Sequence, residues 1–399
     1  MDVTPLSDSS AWQRLGGADT AAEIAQQPAL WEQLAADLAQ ARERVQAFLG
    51  DRLDDPRQRV LFTGAGSSGF IADMVADRIN AQWPADVRAV HTTSLLTHPA
   101  LYLQRDRPTL LVSFGRSGSS PESVAAVDLL RAQVDDARFL DITCNADGEL
   151  ARRGQGREDT CTLLMPAASC DRAFAMTSSL SCMLLAALCV FDTAPWQQRL
   201  EHLRQAATLA REGLAQWSQA AGALAQRPFQ RVIYLASGPL EALAREAALK
   251  VLELTAGQVL ALANTPLGFR HGPKSTLDGA TLVVMMRSNH ALARRYEQDL
   301  LDELRRDGVA GQVLAIGPHS DIGGGDDYSL RVPPLDDGTL ADSTLADSTL
   351  ADSWLAPVWL TFAQVFALQR SAALGLTPDN PFPDGTVNRV VKGVTIHQG

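Results

Sequence analysis

The chain lacks most of what would tie it to a secreted, membrane or nucleic-acid role. Its five cysteines, Cys144, Cys161, Cys170, Cys182 and Cys189, are odd in number and form no C-x-x-C pair among 399 residues. That argues against a disulfide framework and a zinc site, and it fits a reduced, cytoplasmic compartment. No apolar run is long. The most apolar, LSCMLLAALCVF at 180–191, falls well short of the about 20 residues that cross a bilayer, so a buried helix is expected there. The opening residues show no basic flank followed by an apolar run, so no signal peptide is read. Positive charge is not in excess either. With 35 Lys and Arg against 46 Asp and Glu, the net charge is −11. Nucleic acid is therefore not an expected partner, and a small anion would have to be held by local donors rather than by the overall field.

What is present is a repeated strand, glycine turn and helix. The length suits two domains. The stretch LLVSFGRSGSSPES at 110–123 reads as a short strand, Leu110–Val112, that breaks at Ser113, passes through a Gly/Ser loop and enters a helix at Pro121. A helix N-terminus offers unpaired N–H groups and the positive end of its dipole, so the loop suits a phosphate. Ser117, Ser119 and Ser120 add hydroxyls, and Arg116 a charge-assisted donor. An ordinary strand-to-helix loop with a serine cap is the alternative.

A second such loop, GAGSSG at 64–69, follows the strand 59–63. It matches the dinucleotide fingerprint in letters, but the second strand, 87–90, ends in His91-Thr92-Thr93 and brings no acidic residue for a ribose. The Gly-Lys-Ser/Thr of a nucleoside triphosphate loop is missing too. Gly66, Ser67 and Ser68 are read instead as a second wall of the same crevice. Residues 1–28 read as polar and irregular, followed by an amphipathic helix marked by Leu30, Leu34, Leu38, Val45 and Leu49. Thr177 and Ser178 open the apolar helix, either capping it or touching ligand. Beyond a polar helical link the scheme restarts at 231–236. Three copies of the pentad TLADS fill 339–353. They match no solenoid period and are read as a loop expanded by duplication, with the last long helix beginning at Trp354.

Two places could carry acid–base chemistry. On the Ala- and Leu-rich helix 240–255, Glu246, Lys250 and Glu253 fall within about a 60° arc at 100° per residue. A solvated edge with one Glu–Lys pair is one reading, and a general base in a partly apolar cleft is the other. His271, in Phe-Arg-His-Gly-Pro-Lys-Ser at 269–275, stands in a stiff turn that suits either a structural or a proton-shuttling histidine. No G-x-S-x-G elbow and no metal cluster is found.

Six stretches taken together, GAGSSG, SFGRSGSSPES, DRAFAMTSS, AALKVLELTAG, GFRHGPKS and GTVNRVVKGVTIH, resemble the tandem sugar-isomerase (SIS) domain proteins. Among these the resemblance is to the galactosamine-6-phosphate deaminase and tagatose-6-phosphate ketose/aldose isomerase type. It implies an α/β fold of two doubly wound, flavodoxin-like SIS domains. An N-terminal helical segment (1–56) would precede the first domain (57–195) and the second (196–375), with a C-terminal tail (376–399). It implies a phosphosugar held by the first domain, a homodimer or homotetramer, and no cofactor or metal.

By similarity to the isomerase half of glucosamine-6-phosphate synthase, Gly66–Ser68 and Ser117–Ser120 bind phosphate, and Ser113, where the strand is read to break, is a further candidate for the same site. Glu253 moves the proton, Glu246 and Lys250 flank it, His271 opens the ring and Lys392 arrives on the tail. Arg116 stands where the synthase has glutamine, and no glutamine-hydrolysing domain is read, so ammonia release is expected. The implied activity converts D-galactosamine 6-phosphate to D-tagatose 6-phosphate and ammonia. A non-deaminating isomerase, a glucosamine-6-phosphate deaminase and a sugar-phosphate sensor are the alternatives.

Overall fold

Strands with every residue buried, such as RVLFT at Arg59–Thr63 and TLVVMM at Thr281–Met286, require helices on both faces, which is the condition for parallel sheets. The computed structural model describes residues 3–317, 330–331, 346–391 and 393–397, and the side chains of all these except 330, 331 and 346–351. Ten strands are present among them: β1 (Arg59–Thr63), β2 (Asp86–Ala89), β3 (Thr109–Gly115), β4 (Ala137–Thr143), β5 (Thr160–Leu164), β6 (Arg231–Ala236), β7 (Leu260–Asn264), β8 (Thr281–Met286), β9 (Gln312–Gly317) and β10 (Leu330–Arg331). They form two parallel sheets in the orders β2-β1-β3-β4-β5 and β10-β9-β8-β6-β7. Renumbered within its own half, the second order is the same as the first, and both are the flavodoxin-like 2-1-3-4-5 order. This is the doubly wound pair that the sequence implied.

The chain divides into two compact units. The first, built on β1–β5, comprises Ala29–Asp171, Met176–Arg204 and Asp384–Gly399. One face of its sheet packs Leu61, Leu111 and Phe139 against Ala126, Leu130 and Leu150. The apolar helix Ser178–Phe191 is buried at every residue, as its composition required. The second unit, built on β6–β10, comprises Met1–Pro28, Arg172–Ala175 and Gln205–Pro383. Ile233, Leu235, Val283 and Met285 pack there against Leu300, Leu301 and Leu304.

Three expectations are corrected. Residues 9–25 are helical, in Ser9–Leu15 and Ala18–Ala25, because Trp12 and Ile24 are wholly buried and anchor them. Strand β3 does not break at Ser113 but runs on to Gly115, since its ladder with β4 continues to Gly115 opposite Thr143. The last helix begins at Ala346 rather than Trp354, so the end of the pentad repeat is helical and not loop. Residues 339–345 lie outside the described part.

Candidate active site

In the first unit β1 and β3 are neighbours, with Thr63 level with Ser113, and their loops leave the sheet at the same edge. In the 2-1-3-4-5 order this is the switch point, where open α/β sheets hold ligands. The loop after β1 can be built only with glycine. A Cβ on Gly64 would come within 2.5 Å of the Ser68 backbone, and Gly66 takes φ 56°, ψ −131° just before helix Ser67–Gln82. Ser67 and Ser68 form the first, buried turn of that helix.

The loop after β3 is more constrained than its sequence suggested. Ser120 caps helix Pro121–Gln133, accepting from the Ser123 N–H at 3.3 Å and donating to the Ser123 hydroxyl at 2.7 Å. The Ser119 hydroxyl donates to the Ser117 carbonyl and accepts from the Glu149 N–H at 3.0 Å. The Ser117 hydroxyl accepts from the Ser119 N–H at 3.3 Å and donates to none of the described residues, so it retains a proton for an anion. Gly118, at φ +60°, leaves room for the Thr143 hydroxyl, which a Cβ would approach to 2.9 Å. Arg116 is buried, and its Nη2 donates to the Arg389 carbonyl of the C-terminal segment at 2.9 Å. Ser113 lies in β3 rather than in the loop, beside Asp141 of β4. Burial pushes the Asp141 carboxyl up to about 7, while the Ser113 hydroxyl and the Arg131 guanidinium pull the other way.

Thr177 and Ser178 are organised by a residue the sequence reading passed over. The buried carboxylate of Asp171 accepts from the N–H groups of Thr177 (2.8 Å), Ser178 (3.1 Å) and Ser179 (2.9 Å), and from the hydroxyls of Thr177 (3.0 Å) and Ser179 (2.5 Å). Thr177 is thus the N-cap by position, but its side chain makes no capping bond. The cap is Asp171, an anion at a helix N-terminus. It stands six residues ahead of Thr177, outside the spacing of a local cap, so only the fold of DRAFAMTSS shows it.

In the second unit, helix Pro239–Leu254 carries the charged stripe. The Lys250 Nζ lies 2.5 Å from Glu253 Oε2 and 3.2 Å from Glu246 Oε1. Lys250 and Glu246 are wholly buried and the Glu253 side chain is 22 % exposed, so the solvated-edge reading fails. Burial alone would lower the Lys250 pKa, but its two carboxylate partners outweigh it and hold it above the ordinary lysine value.

The His271 turn is set by its neighbours. Phe269 is buried in the core of the second unit, Arg270 donates to Glu303 at 2.7 Å, and Lys274 pairs with Glu303 and, at 2.6 Å, with Asp307. Both flanking cations are thereby tied to helix Ala291–Asp307, while His271 itself is exposed and its ring hydrogen-bonds to none of the described residues. Lys392 lies outside the described residues. No helix among the described residues is long and apolar enough to cross a membrane.

The SIS domain family matches residues 53–191, the span that holds the whole first sheet. Similarity extends well beyond that span. The D-galactosamine-6-phosphate deaminase AgaS of Escherichia coli is 42% identical over 383 residues, 96% of each chain. Its namesake from Shewanella sp. (strain ANA-3) is 40% identical over 401 residues, 99% of this chain and 96% of that one. The crystal structure of tagatose-6-phosphate ketose/aldose isomerase from Escherichia coli matches with a TM-score of 0.86 and 38% identity, covering 100% of this chain and 99% of the other. The chain belongs to the SIS domain family, as a tandem member of the deaminase and isomerase branch.

Proposed function

We infer that this protein is an amino-sugar-phosphate deaminase, converting D-galactosamine 6-phosphate to D-tagatose 6-phosphate and ammonia. The near full-length identity to deaminases of that name supports the reaction. The observation that carries the chemistry is the buried Lys250 with its two carboxylates on an otherwise Ala- and Leu-rich helix.

The first unit's switch-point loops take the phosphate through the helix N-terminus at Ser67–Ser68 and the Ser117 hydroxyl, with Ser119 and Ser120 holding the loop in shape. Gly66 gives backbone access. Arg116 fastens the C-terminal segment, which carries Lys392. His271 assists opening of the sugar ring to the free aldehyde. Glu253 then removes the C2 proton, which the adjacent carbonyl acidifies, and returns it to C1. The product is a 2-imine, which water hydrolyses to the ketose and ammonia, so the overall step is also a hydrolysis. Lys250 holds the Glu253 carboxylate in place, and Glu246 balances the buried ammonium. Asp171 fixes the Thr177 and Ser178 turn.

A cytoplasmic setting is supported by five cysteines that are all free. Assembly as a homodimer or homotetramer is part of the same reading, and mass photometry tests it. The reaction is tested by assaying ammonia and ketose phosphate together, with D-galactosamine, D-glucosamine and N-acetyl-D-galactosamine 6-phosphates side by side. Equimolar ammonia and tagatose 6-phosphate from the galacto substrate are expected. Interconversion of nitrogen-free aldose and ketose phosphates, with no ammonia from any substrate, would make the protein a plain isomerase instead.

A further inference from the structure

The second unit repeats the first unit's strand order, so it has a switch point of its own between β6 and β8, where Ala236 is level with Met286. The turn after β6 repeats the first unit's turn as well. Gly238 takes φ 56°, ψ −130° just before helix Pro239–Leu254, against φ 56°, ψ −131° for Gly66. After β8 the chain passes through Arg287-Ser288-Asn289-His290 into helix Ala291–Asp307. By position these two loops correspond to the pair assigned to phosphate in the first unit, and the argument for a phosphate-like seat here rests on that assignment.

The donors of the second unit's loops are already engaged. Glu297 accepts from the Ser288 N–H with both oxygens, at 3.1 and 3.3 Å. The Ser237 hydroxyl, from the turn after β6, also acts on this carboxyl, and the Arg287 Nε stands 3.9 Å from it. Asp352 accepts from the Ser288 hydroxyl at 2.5 Å and from the Asn289 N–H at 2.6 Å. Glu297, Ser288 and Asp352 are all buried. Two hydroxyls, two backbone N–H groups and a guanidinium around clustered carboxylate oxygens make the donor set that a phosphoryl group takes at such a place. Asp352 is the aspartate of the third TLADS copy. A segment read as a loop expanded by duplication therefore delivers one of the two carboxyl groups.

We propose that Glu297 and Asp352 occupy the second unit's anion seat from within, so that each chain binds a single phosphosugar, and that removing them exposes a latent phosphate site. Two buried carboxyl groups engage the donors an incoming dianion needs, which makes the seat selective against phosphate without deforming the sheet.

The test is titration of the full-length protein with inorganic phosphate, followed by calorimetry. The wild type is expected to bind one phosphate per chain and the double variant Glu297→Ala/Asp352→Ala two, with Ser288→Ala added to that pair abolishing the second event. A double variant with native circular dichroism that shows no event beyond the wild type's overturns the proposal. The increment is read against the wild type, so a wild type that binds no phosphate indicts the first-unit assignment separately. Should the double variant fail to fold, Asp352→Ala alone is melted in phosphate and in chloride of equal ionic strength. Phosphate is expected to raise its melting temperature several degrees more than it raises the wild type's, and equal shifts overturn the proposal.

Discussion

Lys250 and Glu253 form an ion pair at 2.5 Å in which the lysine side chain is wholly buried and the glutamate side chain is 22 % exposed. The pair is therefore oriented, with its acidic end the one that can meet a substrate. Because Glu246 is wholly buried 3.2 Å from the same ammonium, deleting the cation leaves buried carboxylate charge uncompensated. Lys250→Met should cost about 3–5 kcal/mol of stability by urea unfolding. Adding Glu246→Gln should return part of that loss. A single variant as stable as the wild type would mean that the triad is not held as described.

Asp171 gathers five hydrogen bonds at the start of helix Ser178–Phe191. Asp171→Ala removes the acceptor for three helix N–H groups inside a buried site, so a loss of about 2 kcal/mol or more is expected by chemical denaturation. Asp171→Asn retains one acceptor oxygen and should fall between. Equal stability of all three proteins would contradict the capping role.

Ser117 is the serine of its loop whose hydroxyl donates to none of the described residues. Loss of a hydrogen bond to a charged group costs about 1.5–3 kcal/mol. Ser117→Ala should therefore raise KM roughly tenfold or more, with kcat changed much less. Ser120→Ala, which breaks the helix cap, should appear mainly in stability. Steady-state kinetics and thermal melts on the two variants separate these outcomes.

Two buried carboxyls set a pH dependence. Burial pushes Asp141, near Arg131 and Asp159, up to about 7, and Glu297, near Arg287 and Asp352, up to about 7. Unfolded carboxyls titrate near 4. Between these values the folded state binds more protons than the unfolded state. The associated stabilisation is therefore fully present below about pH 4 and lost as pH rises through about 7. Unfolding free energy should decline from pH 5 to pH 8, and Asp141→Asn and Glu297→Gln should each flatten the decline. An unchanged slope in both variants would contradict the assignment.

The alternation of strands with glycine turns was legible because a buried parallel strand needs a continuous apolar run, as in RVLFT and TLVVMM, and a flanking turn. The charged stripe was legible too, since Glu246, Lys250 and Glu253 share one helical face whatever surrounds them. What surrounds them was not. Only tertiary packing makes Lys250 wholly buried. Asp171, Glu297 and Asp352 escaped for a related reason. Each carboxylate serves N–H groups at least six positions away, at distances along the chain that no local capping rule covers. Trp12 and Ile24 likewise order a segment that looks irregular, because their burial depends on partners that local periodicity does not reveal. The serine loop was read correctly as a helix entrance. Which of its hydroxyls remain for a ligand depended on Glu149 and Ser123, which no motif includes.

Glu253 is assigned the transfer of the proton between C2 and C1. The turnover of Glu253→Gln on D-galactosamine 6-phosphate, with binding of D-tagatose 6-phosphate measured on the same preparation, decides that assignment. A positioned base contributes about 10²–10⁴-fold, so ammonia release should fall by that factor while product affinity stays within about threefold. Full turnover by the variant, or a loss of turnover explained wholly by lost binding, would contradict the claim.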